Sequence, residues 1–377
     1  MDNLTHTLFA VTLGRTSLGR AGRGTAAALV LASNAPDIDV VSALRGGTSS
    51  YMHWHRGPTH GALGVLGLGF ASAGLVWLGR GWLDKRRHAE PTAPPKNASF
   101  GMLVAISMIA IALHILMDLP TSYGTRVLSP FDWHWYAFDW MPIVDIYLLI
   151  VLGAGLLFGL RSEAARRRNA AIALALMAAN YGVRAVAHHQ ALQLAPRLFG
   201  PTLPARCANA PDTSGMLDEW PRSGADQAGY ARADGRRCLV ELAALPTFLS
   251  PFDWRIVAEM SNAYEIHEAD VLDSRFRHAE SAGDVFWRQS LRYPNIWTPP
   301  IARAAAAPAA QIFLGFSRFP AARVITDGRG VSTVRFSDIR FAAGLVALEQ
   351  PVRRPAPFSL LVRLDASGRV IEQSLSP

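Results

Sequence analysis

Residues 98–119 read ASFGMLVAISMIAIALHILMDL, a stretch in which His114 and Asp118 are the only ionisable side chains. As a helix rising about 1.5 Å per residue it covers roughly 33 Å, close to the thickness of a bilayer core. Ionisable groups inside such a span are costly and face a partner or an aqueous cavity. His114 and Asp118 lie four residues apart, so a helix sets them on one face about one turn apart, within reach of the same ion. The bland alternative is a packed histidine beside a capping aspartate, because Pro120 ends the helix there.

The pattern recurs along the first half of the chain. Residues 59–79 carry no charge if His60 is neutral, and residues 142–160 carry only Asp145. Residues 169–187, interrupted by Asn180 and Arg184, form a weaker fourth candidate. Segments 4–14 and 25–36 are too short to span alone and predict a tilted or re-entrant N-terminal hairpin. Half of the 377 residues are hydrophobic, which argues against an ordinary soluble enzyme.

The formal charge of +8 does not point to nucleic acid, because the basic residues sit in short loops between apolar segments. Loops 15–23 (Arg15, Arg20, Arg23), 80–96 (Arg80, Lys85, Arg86, Arg87, Lys96) and 161–168 (Arg161, Arg166, Arg167, Arg168) hold twelve, whereas loops 34–58 and 119–141 hold only Arg45, Arg56 and Arg126. The positive-inside rule then makes the first group cytoplasmic and the other face periplasmic, in a multi-pass protein of the bacterial inner membrane. MDNLTHTLF lacks a basic n-region and a small-residue cleavage site, so a removable signal peptide is not expected.

Composition changes near residue 196. Beyond it, RCLVELAAL, STVRFSDIRF and FSLLVRLDASGRVIEQ alternate as strands do, and Asp365–Gly368 reads as a hairpin turn. The expected architecture is an α-helical membrane bundle, residues 1–195, of about four spans plus the N-terminal helical hairpin. A soluble, mainly β domain, residues 196–377, follows it. Ala304–Ala310 reads as a linker or poor helix, and LSPFDW, present at 128–133 and 249–254, as a coincidental repeat or a pair of loops at the site mouth. Cys207 and Cys238 are either a disulfide or two unpaired thiols.

Two further motifs join His114 and Asp118. In His53-Trp-His55-Arg56-Gly-Pro-Thr-His60, Gly57 and Pro58 force a turn, placing His60 on the first turn of the next span and His55 in the loop above. In Pro36-Asp37-Ile-Asp39, alternate carboxylates of an extended segment point to opposite sides, so one can ligate an ion while the other orients a histidine. Three histidines in a polar loop, or a lone PDID, would mean little. Their weight comes from convergence, since the charge pattern puts both motifs, His6 and Asp145 at the same membrane face as His114 and Asp118. Mixed nitrogen and oxygen ligands suit Zn²⁺, with Mn²⁺ or Fe as alternatives, and more than four candidates allow two ions. The metal candidates are His6, Asp37, His55, His60, His114, Asp118 and Asp145. The catalytic candidates are Asp37 and Asp39, with Arg56 to hold a phosphate or carboxylate of the substrate.

THT, PDID, HRGPTH, HILMDLPTSYGTRVLSPF and PIVD, in that order and in apolar surroundings, resemble the bacterial family of membrane-bound, predicted metal-dependent hydrolases that includes the LexA-regulated inner-membrane protein. The resemblance covers roughly residues 1–190. It implies His6, Asp37, Asp39, His55, His60, His114, Asp118 and Asp145 as the matching polar positions, and implies no particular substrate. The expectation is a metal-dependent hydrolase that works beside the lipid bilayer on a phospholipid or another lipid-linked ester or phosphoester. The rival is a non-enzymatic, metal-stabilised envelope protein that binds a partner through its C-terminal domain. A transporter fits less well, because the polar residues gather at one interface rather than the bilayer midplane.

Overall fold

A computed structural model describes residues 1–86, 97–158, 162–199, 204–208, 210, 217–221, 237–273, 290–341, 351–352 and 358–376. Arg87, Lys96 and Arg161 of the charge pattern lie outside them. The chain forms two compact units, residues 1–41 with 54–184, and residues 42–53 with 185–377.

The first unit is helical. It contains α1 (Asn3–Gly14), α2 (Thr25–Asn34), α4 (Ala62–Arg86), α5 (Phe100–Asp118), α6 (Ile146–Phe158) and most of α7 (Glu163–Leu194), while α3 (Ala43–Trp54) lies largely in the second unit. Side-chain oxygens start two of these helices: Asp2 accepts from the Thr5 amide at 3.0 Å, and Ser99 from the Met102 amide at 3.2 Å. α4, α5 and α7 are long and apolar enough to cross a membrane, and α2 with the segment 36–54, bent by 43°, adds a fourth candidate if counted as one broken span. The candidate at 142–160 is helical over Ile146–Phe158, about 20 Å and short of a bilayer core.

Packing inside this unit relies on small residues. Ala28, Ala32, Ala73 and Ala110 are fully buried between α2, α4 and α5, and a Cβ added to Gly69 would lie 2.7 Å from Met108 Cγ. Small side chains allow this close backbone approach where no hydrophobic effect drives helices together. Leu63, Leu66, Phe70, Leu75 and Leu78 of α4 instead stand exposed. A water-soluble helix would bury such a face, whereas a lipid-facing one leaves it bare.

The first unit also carries the short strand β1 (Trp135–Ala137), and the second unit, mainly sheet, carries the short strand β2 (Asp218–Trp220). β3 (Leu239–Pro246), β4 (Asp253–Met260), β5 (Ala263–Asp270) and β6 (Ser290–Pro294) form one antiparallel meander. β7 (Pro320–Thr326), β8 (Ser332–Asp338), β9 (Ser359–Leu364) and β10 (Val370–Ser376) form another. Side-chain alternation gives the first meander two buried faces. Trp254 and Ile256 pack with Ala187 and Ala191 of α7, while Val257 and Ile266 pack with Phe319 and Ile339. The turn at 365–368 joins β9 to β10, and Asp365 accepts from the Ser367 and Arg369 amides. The stretch read as a linker instead contains the ends of helices Pro299–Ala305 and Pro308–Phe316, the second begun by its proline. Cys207 and Cys238 form a disulfide. The two LSPFDW loops belong to different units.

Candidate metal centre

Helix ends and breaks in the first unit bring the polar side chains together. Asp37 and Asp39 sit on the 3₁₀ turn Pro36–Ser42, at the bend after α2. This corrects the extended conformation expected for PDID: Pro36 is well suited to a helical first turn. Residues two apart on a 3₁₀ turn still point in different directions. Arg56, with φ +50°, and Gly57 turn the chain into the 3₁₀ segment Pro58–His60, which places His60 just ahead of α4. His114 and Asp118 occupy the last turn of α5 before Pro120.

Asp37, His60, His114 and Asp118 converge to hold their ligand atoms within 4.8 Å of one another. The two imidazole Nε2 atoms are 3.2 Å apart. Each lies 3.3 Å from Asp118 Oδ2 and 3.7 Å from Asp37 Oδ1. A tetrahedral ion with bonds of about 2.0–2.2 Å has ligand-to-ligand edges of about 3.3–3.6 Å. The four atoms already stand close to that figure.

The tautomers agree with this geometry. His114 Nδ1 is 2.7 Å from the Ser33 carbonyl, which only accepts, so Nδ1 carries the proton and Nε2 presents a lone pair. His60 Nδ1 lies 3.0 Å from Thr59 Oγ1, whose hydroxyl donates to Asp39 Oδ2 at 3.3 Å. Nδ1 of His60 is then the donor to Thr59, and its Nε2 also faces the cluster as an acceptor. Asp118 Oδ2, 3.3 Å from both imidazoles, is buried without a hydrogen-bond donor among the described residues. Buried acceptors that converge in this way call for a cation.

The remaining candidates stand around this group. Asp39 Oδ1 accepts from His55 Nδ1 at 2.9 Å and Oδ2 from the Arg56 amide at 2.7 Å, so Asp39 backs the histidines. Burial lowers the His55 pKa, and Asp39 opposes that shift only in part. His6 stacks on the His114 ring at 3.8 Å, with Nε2 3.3 Å from Asp118 Oδ1. Arg56 is buried: Nη2 donates to Asp118 Oδ1 at 3.1 Å, and Nη1 to Thr121 Oγ1 and the Gly124 carbonyl. The Met1 amino group also meets Asp118 Oδ1. Asp145 accepts from the Leu148 amide at the start of α6, and its Oδ2 pairs with Arg184 Nε at 2.7 Å, both side chains fully buried.

Sequence reasoning missed the Ser33 carbonyl, Thr59 and the role of Arg184. A backbone carbonyl leaves no trace in residue type. Arg184 did carry a signal, as a basic residue in an apolar stretch whose neighbouring span contains one acid.

A family model described as YdjM inner membrane protein matches residues 1–191. A Bacillus subtilis (strain 168) protein described as "Uncharacterized protein YfhP" is 28% identical over 123 residues, an alignment that spans 33% of each chain. No solved structure matches the chain.

Proposed function

This chain belongs to the YdjM inner membrane protein family, and from that premise we propose that it is a membrane-bound metal-dependent hydrolase acting on a phospholipid or another lipid-linked ester or phosphoester. The observation that carries the reading is the pair of Nε2 atoms 3.2 Å apart, with both lone pairs turned toward two carboxylates. Asp37, His60, His114 and Asp118 would hold one divalent ion, zinc first, with manganese or iron the alternatives. One ion is favoured over two, because Arg56 and His6 already face the far oxygen of Asp118. Such an ion supplies Lewis acidity and lowers the pKa of a water that it binds.

The chain's own residues supply positioning and proton transfer. Asp39 fixes His55 through Nδ1, which directs basicity to the other ring nitrogen, and this pair serves as general base and then general acid. Arg56 pairs with Asp118 rather than holding substrate, since both of its terminal nitrogens are engaged within the protein. Asp145 holds α6 to α7 instead of a metal. A lipid substrate is favoured by Ile38, Val40 and Val41, each more than half exposed on the turn that carries Asp37 and Asp39. We place the centre on the periplasmic side of the helical bundle, from the distribution of Lys and Arg.

Elemental analysis of detergent-purified protein, with hydrolysis of a phospholipid and phosphoester panel, tests the reading. Wild type should hold about one ion per chain, and His60→Ala/His114→Ala should lose both ion and hydrolysis. No stoichiometric metal after reconstitution with zinc and with manganese would mean that a shared proton bridges the imidazoles, and the proposal would fail. Bound metal without hydrolysis would favour the non-enzymatic envelope protein.

A further inference from the structure

The other end of the helical unit carries a second built site. α4 starts two residues after His60, and Arg80 lies twenty residues beyond His60, about 30 Å along the helix and a bilayer core away. Arg80 is only 9% exposed. Its Nη1 donates to the Arg23 and Ala98 carbonyls, both at 2.9 Å, and its guanidinium stacks on the Trp77 ring at 4.5 Å. Among the described residues nothing accepts from Nε or Nη2. Arg80 borders an open cavity of about 600 Å³, lined also by Trp77, Asn97, Ser99 and Met102.

The first turn of α5 begins at the same cavity. Ser99 and Met102 line it, and Ser99 Oγ takes the Met102 amide. An immobilised guanidinium with spare donors matches a phosphate in a bidentate fork. None of the described lining residues is acidic. Trp82 and Phe100 stand exposed nearby in sequence, as aromatic residues do at a membrane interface, and loops 15–23 and 80–96 are basic. Anionic lipid headgroups concentrate at such a surface.

We propose that this cavity binds a phosphate group, carried by an anionic phospholipid headgroup or by a free phosphate ion, on the Arg80 guanidinium, beside Asn97 and Ser99 of the cavity wall. The site is independent of the hydrolase reading. It would tie one interface of the bundle to lipid charge while the metal cluster sits at the other.

The test is thermal unfolding of the detergent-purified full chain with added phosphatidylglycerol, phosphatidylcholine or inorganic phosphate. Stabilisation by phosphatidylglycerol at concentrations where phosphatidylcholine and phosphate do nothing assigns a lipid headgroup. Equal stabilisation by inorganic phosphate assigns the free ion. In either case Arg80→Gln should weaken the response about tenfold or more, the loss expected for a charge-assisted pair. Arg80 also holds two carbonyls, so Asn97→Asp is the companion variant: it adds a negative charge to the cavity wall and spares those bonds. No stabilisation of wild type, stabilisation by phosphatidylcholine equal to that by phosphatidylglycerol, or a response unchanged in Asn97→Asp overturns the proposal.

Discussion

Replacing His114 by alanine removes one of the four atoms that surround the proposed metal position, and the consequence is calculable. Apparent binding free energies for four-ligand zinc sites run about 10–16 kcal/mol, so one ligand accounts for roughly 3 kcal/mol, or about a hundredfold in affinity. At a zinc concentration about a thousand times the wild-type dissociation constant, binding stabilises the folded protein by about 4 kcal/mol. The variant at the same concentration sits near ten times its own constant and gains only about 1.4 kcal/mol. The assay is the unfolding midpoint of each protein in detergent, with zinc and with chelator. His114 is buried and stacked on His6, so the variant also loses packing. That loss is common to both conditions and cancels in the zinc-minus-chelator difference. A difference equal in wild type and variant would refute the proposed ligand role of His114.

Three other outcomes are expected. Asp145→Asn should leave metal content unchanged while lowering stability by about 3 kcal/mol or more, because Arg184 stays buried without its counter-ion; loss of the metal would return Asp145 to the ligand set. His267, buried on β5, has its pKa lowered by burial to about 4, so the unfolded chain binds its proton first. Its contribution is complete above about pH 6.5 and is lost as pH falls toward 4, by about 2 kcal/mol at pH 5; denaturant titrations of wild type and His267→Gln at pH 7 and 5 should show that excess acid sensitivity only in wild type. Reduction of Cys207–Cys238, which closes a loop of 31 residues, should cost about 3–4 kcal/mol, read as a lower midpoint in reductant that Cys207→Ser/Cys238→Ser reproduces.

The helical half was legible because a bilayer imposes a length and an apolar composition on any segment that crosses it. Residues 98–119 met both conditions, and α5 occupies Phe100–Asp118. The strands were legible for a related reason, since alternation along residues 358–373 can bury only one face of a sheet. Boundaries were less so: residues 142–160 read as a span, yet α6 covers only thirteen described residues, because Pro142 and the capping Asp145 delay its start. The sequence by itself determined which residue types gather at which ends of the apolar segments, because charge and hydropathy act through local composition. Only the tertiary structure decided the division of labour within that gathering. Asp37 reaches the imidazole pair while Asp39 stands behind it, and Arg56 turns inward to Asp118. Asp145 pairs with Arg184, a residue 39 positions away. These choices depend on ångström-scale distances between side chains remote in sequence, fixed by how closely the helices pack, and on a backbone carbonyl at Ser33 whose role no residue type encodes.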